Sequence, residues 1–178
     1  MTDFPYRVVG IDPSLTATGV ADSDGVLSTV KTNAKLKDRR LRAIYAEILD
    51  VGDWATHNLP DTDNPPVLAV IEDLPKHAMA AGITGMVQGI VRLALMEHGI
   101  PYVTIPPATL KKFASGKGNA DKAAMRAKWL EFTGEDNADD NQVDAAFLRE
   151  IGLVLTGQTS VVPTDQHAAI AGYGDKIR

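Results

Sequence analysis

The chain has 178 residues, 44% of them hydrophobic, with 18 Lys+Arg against 23 Asp+Glu for a net charge of −5, and no Cys. That is enough for one core and too little for two ordinary ones, and the average charge opposes nucleic acid and anionic membranes alike. Without Cys, disulfide scaffolds, thiol nucleophiles and thiolate metal sites are excluded; carboxylates and four His remain as strong ligands, so oxygen-preferring divalent cations become the default metal. The start of the chain, Met-Thr-Asp-Phe-Pro-Tyr-Arg, has no basic-then-apolar leader, and a cytoplasmic location is expected.

Residues 5–12, 15–22 and 25–31 are short, rich in β-branched side chains and separated by Asp-Pro-Ser and Ser-Asp-Gly turns, which predicts an antiparallel meander. From 37 to 57, Leu41, Ile44, Tyr45, Ile48 and Leu49 fall at helical spacing, with Arg39, Arg40 and Arg42 between them. After the turn-rich stretch 58–66, the run VLAVIEDL is apolar on both strand phases, as in a central strand covered on each face. A helix over 78–98 is apolar almost all round and carries Gly82, Gly85 and Gly89, but Gln88 and Arg92 interrupt it, which argues against a membrane span. Its small residues suit close packing on the sheet or on a second copy of the chain. A strand at 101–105 follows, then helices at 107–114, 120–133 and 140–156. The last opens with Asp139 and, three residues on, Gln142, in a capping-box arrangement. Residues 158–178 show no lasting periodicity and are expected to form a loosely structured tail behind a domain over 1–157. The pattern is an α/β layered domain with a mixed sheet.

Charge is strongly segregated. Lys31–Arg42 holds six basic residues against one acid, and Lys111–Lys128 again six against one, so each segment carries +5; the remaining 6 basic and 21 acidic residues carry −15. The two segments could face a polyanion or be ordinary solvated faces. Gly116-Lys117-Gly118-Asn119 favours the first, because a Gly-rich loop before a helix can offer backbone N–H groups to phosphate. It lacks the P-loop spacing. Phe113 and Trp129 are read as core side chains.

Three acids occupy positions whose neighbours point inward. Asp12 closes the first strand in phase with Val8 and Gly10, and Glu72 closes the central strand in phase with Leu68 and Val70, with Asp73 on the other face. On the last helix Asp140 and Asp144 share a face, and Asp144 continues into the stripe of Phe147, Leu148 and Ile151. An unpaired carboxylate on a buried stripe costs several kcal/mol, so a cation is needed. Singly these acids could be turn or cap residues; together they make an oxygen-ligand Mg²⁺ or Mn²⁺ site able to act on a phosphodiester.

The motifs VVGIDPSLTATGVA, VIEDLP, VTIPPATLKKFASGKGNADKAAM and DDNQVDAAFL occur in that order over residues 6 to about 156. In these the sequence resembles the RuvC-type Holliday-junction resolvases of the RNase H-like nuclease superfamily. The resemblance implies an RNase H-like mixed five-stranded sheet with helices on both faces. It also implies a homodimer that binds branched DNA, chiefly four-way junctions, and cuts them by paired symmetric nicks with two Mg²⁺ per active site, Mn²⁺ able to substitute. Asp12, Glu72 and Asp144 match the family's metal ligands. The position three residues before the final Asp, Asp or His in the family, is Asn141 here, with Asp140 beside it as a substitute. Lys111, Lys112, Lys117 and Lys122 fall in the region similar to the family's DNA-binding loop and helix, and Arg39, Arg40 and Arg42 form the second basic segment. The family's aromatic wedge after the central Glu is replaced by Leu74, Pro75, Lys76 and His77. The compact, cysteine-free chain looks like phage or prophage resolvases, which implies the cytoplasm of a bacterial or phage-infected cell. A non-catalytic branched-DNA-binding protein on the same fold is the alternative. An actin-like kinase, suggested by GIDPSLTATG, would need a second domain and a nucleotide cofactor for which the chain has no room.

Overall fold

The computed structural model describes residues 6–57, 66–74 and 81–178. Strands β1 (Arg7–Asp12), β2 (Ala17–Ala21), β3 (Leu27–Lys31), β4 (Val67–Glu72) and β5 (Tyr102–Ile105) form one sheet in the order β3-β2-β1-β4-β5. β2 is antiparallel to both β1 and β3, while β4 and β5 run parallel to β1. The mixed sheet expected from the meander and the later helical crossovers is therefore present.

Helices α1 (Arg39–His57) and α2 (Ala81–Glu97) cover one face; α3 (Pro107–Ser115), α4 (Lys122–Thr133) and α5 (Asp140–Leu155) cover the other. The two-phase apolarity of β4 is the reason both faces are covered. Leu68 and Val70 pack with Val8, Phe113, Phe147 and Ile151, while Val67, Ala69 and Ile71 pack with Ile44, Ile48, Val87 and Val91. Phe113 and Trp129 are core, as expected. Of the expected loop over 58–66, residues 58–65 lie outside the described residues, as does the segment Pro75–Ala80, which takes in Pro75, Lys76 and His77 of the replacement for the aromatic wedge.

The topology places function at one edge of the sheet. β1, β3, β4 and β5 all run the same way, so Asp12, Lys31 and Glu72 finish at that edge, and α3 starts there directly after β5. Loops beyond the carboxyl ends of parallel strands are where such sheets build their sites.

Two sequence expectations are corrected. The 158–178 segment is packed rather than loose. Glu150 accepts hydrogen bonds from Ser160 Oγ (2.7 Å) and the Val161 amide (2.9 Å), Val162 and Ile170 enter the core, and the His167 ring stacks on Phe113 with centroids 5.8 Å apart. Arg178 closes it by exchanging two backbone hydrogen bonds with Tyr102, of 2.9 and 3.0 Å. Its anchors come singly between turns and 3₁₀ segments, which leaves no period to read. Second, Asp139 caps α5 through the Asn141 amide, but Gln142 does not complete a capping box: its Nε2 donates to Thr29 Oγ1 on β3 (3.0 Å).

α5 lies unusually close to the sheet. A Cβ on Gly10 would stand 2.0 Å from the Ala145 carbonyl oxygen, and one on Gly19 would stand 2.0 Å from that of Asn141. Gly10→Ala is accordingly expected to lower the unfolding free energy by about 3 kcal/mol or more, as severe overpacking does. Urea unfolding would check this, and an unchanged midpoint would contradict the contact.

Candidate active site

Asp12, Glu72 and Asp144 come together at the sheet edge from three separate elements. Asp12 is buried at the end of β1, where Ser14 and Thr18 fix the turn: the Thr18 hydroxyl donates to the Ser14 carbonyl (2.6 Å) and accepts from its amide (3.2 Å). Glu72 ends β4, and its side chain forms a hydrogen bond with that of Asp12. Asp144, half-buried on α5, shares a cleft with Glu72, Lys111, Lys122, Met125, Asp140 and Val143.

The electrostatics reflect crowding of like charge. Burial, then the neighbouring Glu72 carboxylate, holds the Asp12 pKa well above the ordinary carboxylate range. Burial pushes Glu72 up to about 7, with the charge of Asp144 adding to it and Lys111 opposing it. Burial and the charge of Asp12 likewise push Asp144 up to about 7, against the pull of Lys111 and Lys122. These two ammonium groups therefore supply the cationic influence that no residue near Asp144 in the chain could provide. Among the described residues no three His, Asp or Glu groups converge tightly enough to enclose a metal ion as they stand. Asp12 and Glu72 face one another with carboxylate oxygens, the donors that hard divalent cations prefer.

The two candidate ligands around position 140 part company. Asp140 lines the cleft and receives a 2.8 Å hydrogen bond from Lys122 Nζ, which raises the Lys122 pKa. Asn141 does not line it; the residue packs on Gly19, and its side-chain amide donates to Asp139 Oδ1 (3.3 Å). Burial acts to raise the Asp139 pKa, but hydrogen bonds from Thr29 and from the amides of Asn141 and Gln142 hold it below the usual value. Asp139 is thereby committed to the helix cap.

The basic residues divide in the same way. Lys111 and Lys122 are on the cleft wall, while Lys112 and Lys117 are exposed on α3 and the following turn. Arg39, Arg40 and Arg42 lie at the start of α1, which covers the opposite face of the sheet, and they do not line the cleft. The turn Gly116-Lys117-Gly118-Asn119 is partly bonded to itself and to α3. Gly116 is the left-handed cap of α3, its amide bonded to the Lys112 carbonyl (2.8 Å), and the amides of Lys117 and Ala120 are bonded to Ser115 Oγ and the Lys117 carbonyl. Two of the four amides of that loop, those of Gly116 and Lys117, are thus used within the turn. Gly10 and Gly19, which let α5 bring Asp144 to Asp12, are the residues the sequence reading missed; their signal was glycine at inward strand positions opposite a helix with small residues.

No protein-family model matches the chain. It is 32% identical over 131 residues to the crossover junction endodeoxyribonuclease RuvC of Roseiflexus sp. strain RS-1, an alignment covering 67% of this chain and 73% of that relative. The chain belongs to the RuvC family. The RuvC of Saccharopolyspora erythraea is 33% identical over 120 residues, 65% of this chain and 60% of that relative's length. That of Gloeobacter violaceus is 28% identical over 180 residues, 94% of this chain and 96% of the relative. Among solved structures, Thermus thermophilus RuvC superposes with a TM-score of 0.62 at 22% identity, covering 92% of this chain and 94% of that one. The same protein in complex with a Holliday junction substrate gives 0.59 at 24% identity, covering 80% and 89%. Both share the RuvC fold described above.

The raised acids make a stability prediction for the metal-free protein. Folded carboxylates at about 7, against ordinary values near 4 in the unfolded chain, destabilise fully above pH 7 and progressively less as the pH falls toward 4. In chelator, the melting temperature should therefore rise between pH 8 and pH 5, and Asp144→Asn should raise it at pH 8 and flatten the slope. A melting temperature that falls steadily over that range would contradict the assignment.

Proposed function

We propose that this RuvC-family protein is a divalent-metal-dependent endodeoxyribonuclease that resolves four-way or related branched DNA by paired symmetric nicks. The observation that carries this reading is the meeting of Asp12, Glu72 and Asp144 at one sheet edge, with two of them pushed up to about 7 and Lys111 and Lys122 beside them. Relatives named crossover junction endodeoxyribonuclease, and a fold shared with a structure of T. thermophilus RuvC in complex with a Holliday junction substrate, support the substrate class.

Asp12, Glu72 and Asp144, with Asp140 rather than Asn141 completing the acidic wall, would hold two Mg²⁺ ions, for which Mn²⁺ could substitute. Such ions activate a water nucleophile and stabilise the leaving oxygen of a phosphodiester displaced in line. Lys111 and Lys122 offset the charge of the acids and the incoming phosphate. Lys112 and Lys117, exposed next to the cleft, would contact the backbone of the DNA arms, and Arg39, Arg40 and Arg42 more distant parts of them.

Two nicks need two sites, and α2 offers the surface for a homodimer. Its outward side exposes Ile83, Met86, Leu93 and Met96 at 50%, 46%, 41% and 59%, and Gly82 and Gly89 face open space among the described residues. This leaves the second-copy reading of the small residues favoured over packing on the sheet. Among the described residues no helix is long and apolar enough to cross a membrane.

Asp144→Asn is expected to abolish junction cleavage while leaving junction affinity within about twofold, since it removes an acid and no phosphate contact. Cleavage assays beside gel-shift titrations would check it, and undiminished nicking would remove Asp144 from the site. Leu93→Glu with Met96→Glu should convert the dimer to monomer in sedimentation; an unchanged dimer would place the interface elsewhere.

A further inference from the structure

Gln88 and Arg92, the two polar interruptions of the apolar helix α2, are not accounted for by the metal site or the DNA contacts. Gln88 is only 3% exposed, and burying an amide in an apolar layer is costly unless its groups are bonded. Its Nε2 donates to the main-chain carbonyl of Glu72 at 2.5 Å. Its Oε1 accepts from Arg92 Nη2 at 2.7 Å, and the same guanidinium nitrogen reaches Asp73 Oδ1 at 3.3 Å. Because a guanidinium can only donate, Arg92 fixes which way the amide faces: oxygen toward Arg92, nitrogen toward Glu72. Asp73 is itself tied down, its Oδ1 accepting from the Leu74 amide (2.9 Å) and its own amide donating to the Ile105 carbonyl on β5 (2.8 Å). The last residue of β4 and the first beyond it are thus held from α2 by one connected set of hydrogen bonds.

We propose that Gln88 is a positioning residue for Glu72, oriented for that role by Arg92. The proposal rests on the reading of Glu72 as part of the nuclease site. Glu72 presents its carboxylate to the cleft on the α5 side of the sheet, while the Gln88 bond fixes its peptide from α2. At the strand's end β5 still holds this peptide through the Asp73 amide, and the Gln88 side chain takes up its carbonyl. Gly85 of the same helix lies under Leu74, a Cβ there standing 3.8 Å from Leu74 Cδ1, so α2 meets the strand exit at two points. The outward side of this helix is the surface proposed for the second copy, which places the dimer contact one helix thickness from the peptide of a catalytic acid.

The test compares Gln88→Met, which keeps the length and removes the donor, with Arg92→Met and the double variant, in the full-length protein. Single-turnover junction cleavage, junction affinity in EDTA, melting temperature and sedimentation are measured on each. Gln88→Met is expected to lower the cleavage rate about tenfold or more, the range seen when groups that orient metal-binding side chains are removed. Affinity and dimerisation should stay within about twofold of wild type, a split that general destabilisation would not produce. Arg92→Met should cost less, and the double variant no more than Gln88→Met, because both act through one amide. An unchanged rate in Gln88→Met, a parallel loss of rate and affinity, or additive effects in the double variant would overturn the proposal. If Gln88→Met does not fold, an unchanged rate in Arg92→Met overturns it and a lowered rate at unchanged affinity supports it. A wild-type protein that nicks no junction would instead count against the nuclease reading itself.

Discussion

The site depends on how closely α5 approaches the first two strands. With Gly10 opposite the Ala145 carbonyl and Gly19 opposite that of Asn141, the helix backbone rests directly on the strand backbone. Any side chain at either position would have to push the helix backbone away from the strand. The same approach brings Asp144, one residue before Ala145, to the end of β1 where Asp12 stands. The distance that fixes the packing also fixes the chemistry, and the stripe of Val143, Phe147, Leu148 and Ile151 supplies the apolar burial that holds it.

That placement makes the folded chain work against itself electrostatically. Three acids are removed from water near one another, which raises their pKa values, and the through-space charge of Lys111 and Lys122 relieves part of the repulsion. Natural proteins keep such arrangements where function requires them. Asp139, close by in sequence, shows the contrast: four hydrogen-bond donors satisfy it, its pKa is lowered, and it serves as a helix cap.

Much of this was legible in the sequence, and what was not has definite physical causes. The strands and helices follow their apolar periodicity, and Asp12, Glu72 and Asp144 could be placed on inward phases by counting. The packing of 158–178 was hidden because single anchors such as Val162 and Ile170, spaced by turns, make no pattern. The Gly-rich turn after α3 begins with a left-handed helix cap at Gly116, a role the sequence did not distinguish because glycine suits a cap as well as a phosphate loop. Asn141 and Asp140 could not be separated by spacing, since both lie within a turn of Asp144; the docking of the Asn141 backbone on Gly19 and the Lys122 bond to Asp140 separate them. Gln88 was visible as an oddity in an apolar helix, but its partner is a main-chain carbonyl sixteen residues away, which carries no signature in side-chain identities.

On the proposed reading, Asp12, Glu72 and Asp144 form one metal-dependent centre acting on branched DNA. Its most direct test is an end-labelled immobile four-way junction beside a linear duplex of the same sequence, each incubated with Mg²⁺, with Mn²⁺ and with EDTA. Nicks are expected at symmetric positions on opposed strands of the junction only, with either metal and not with EDTA; a junction that is bound but left uncut with both metals would contradict a metal-dependent centre.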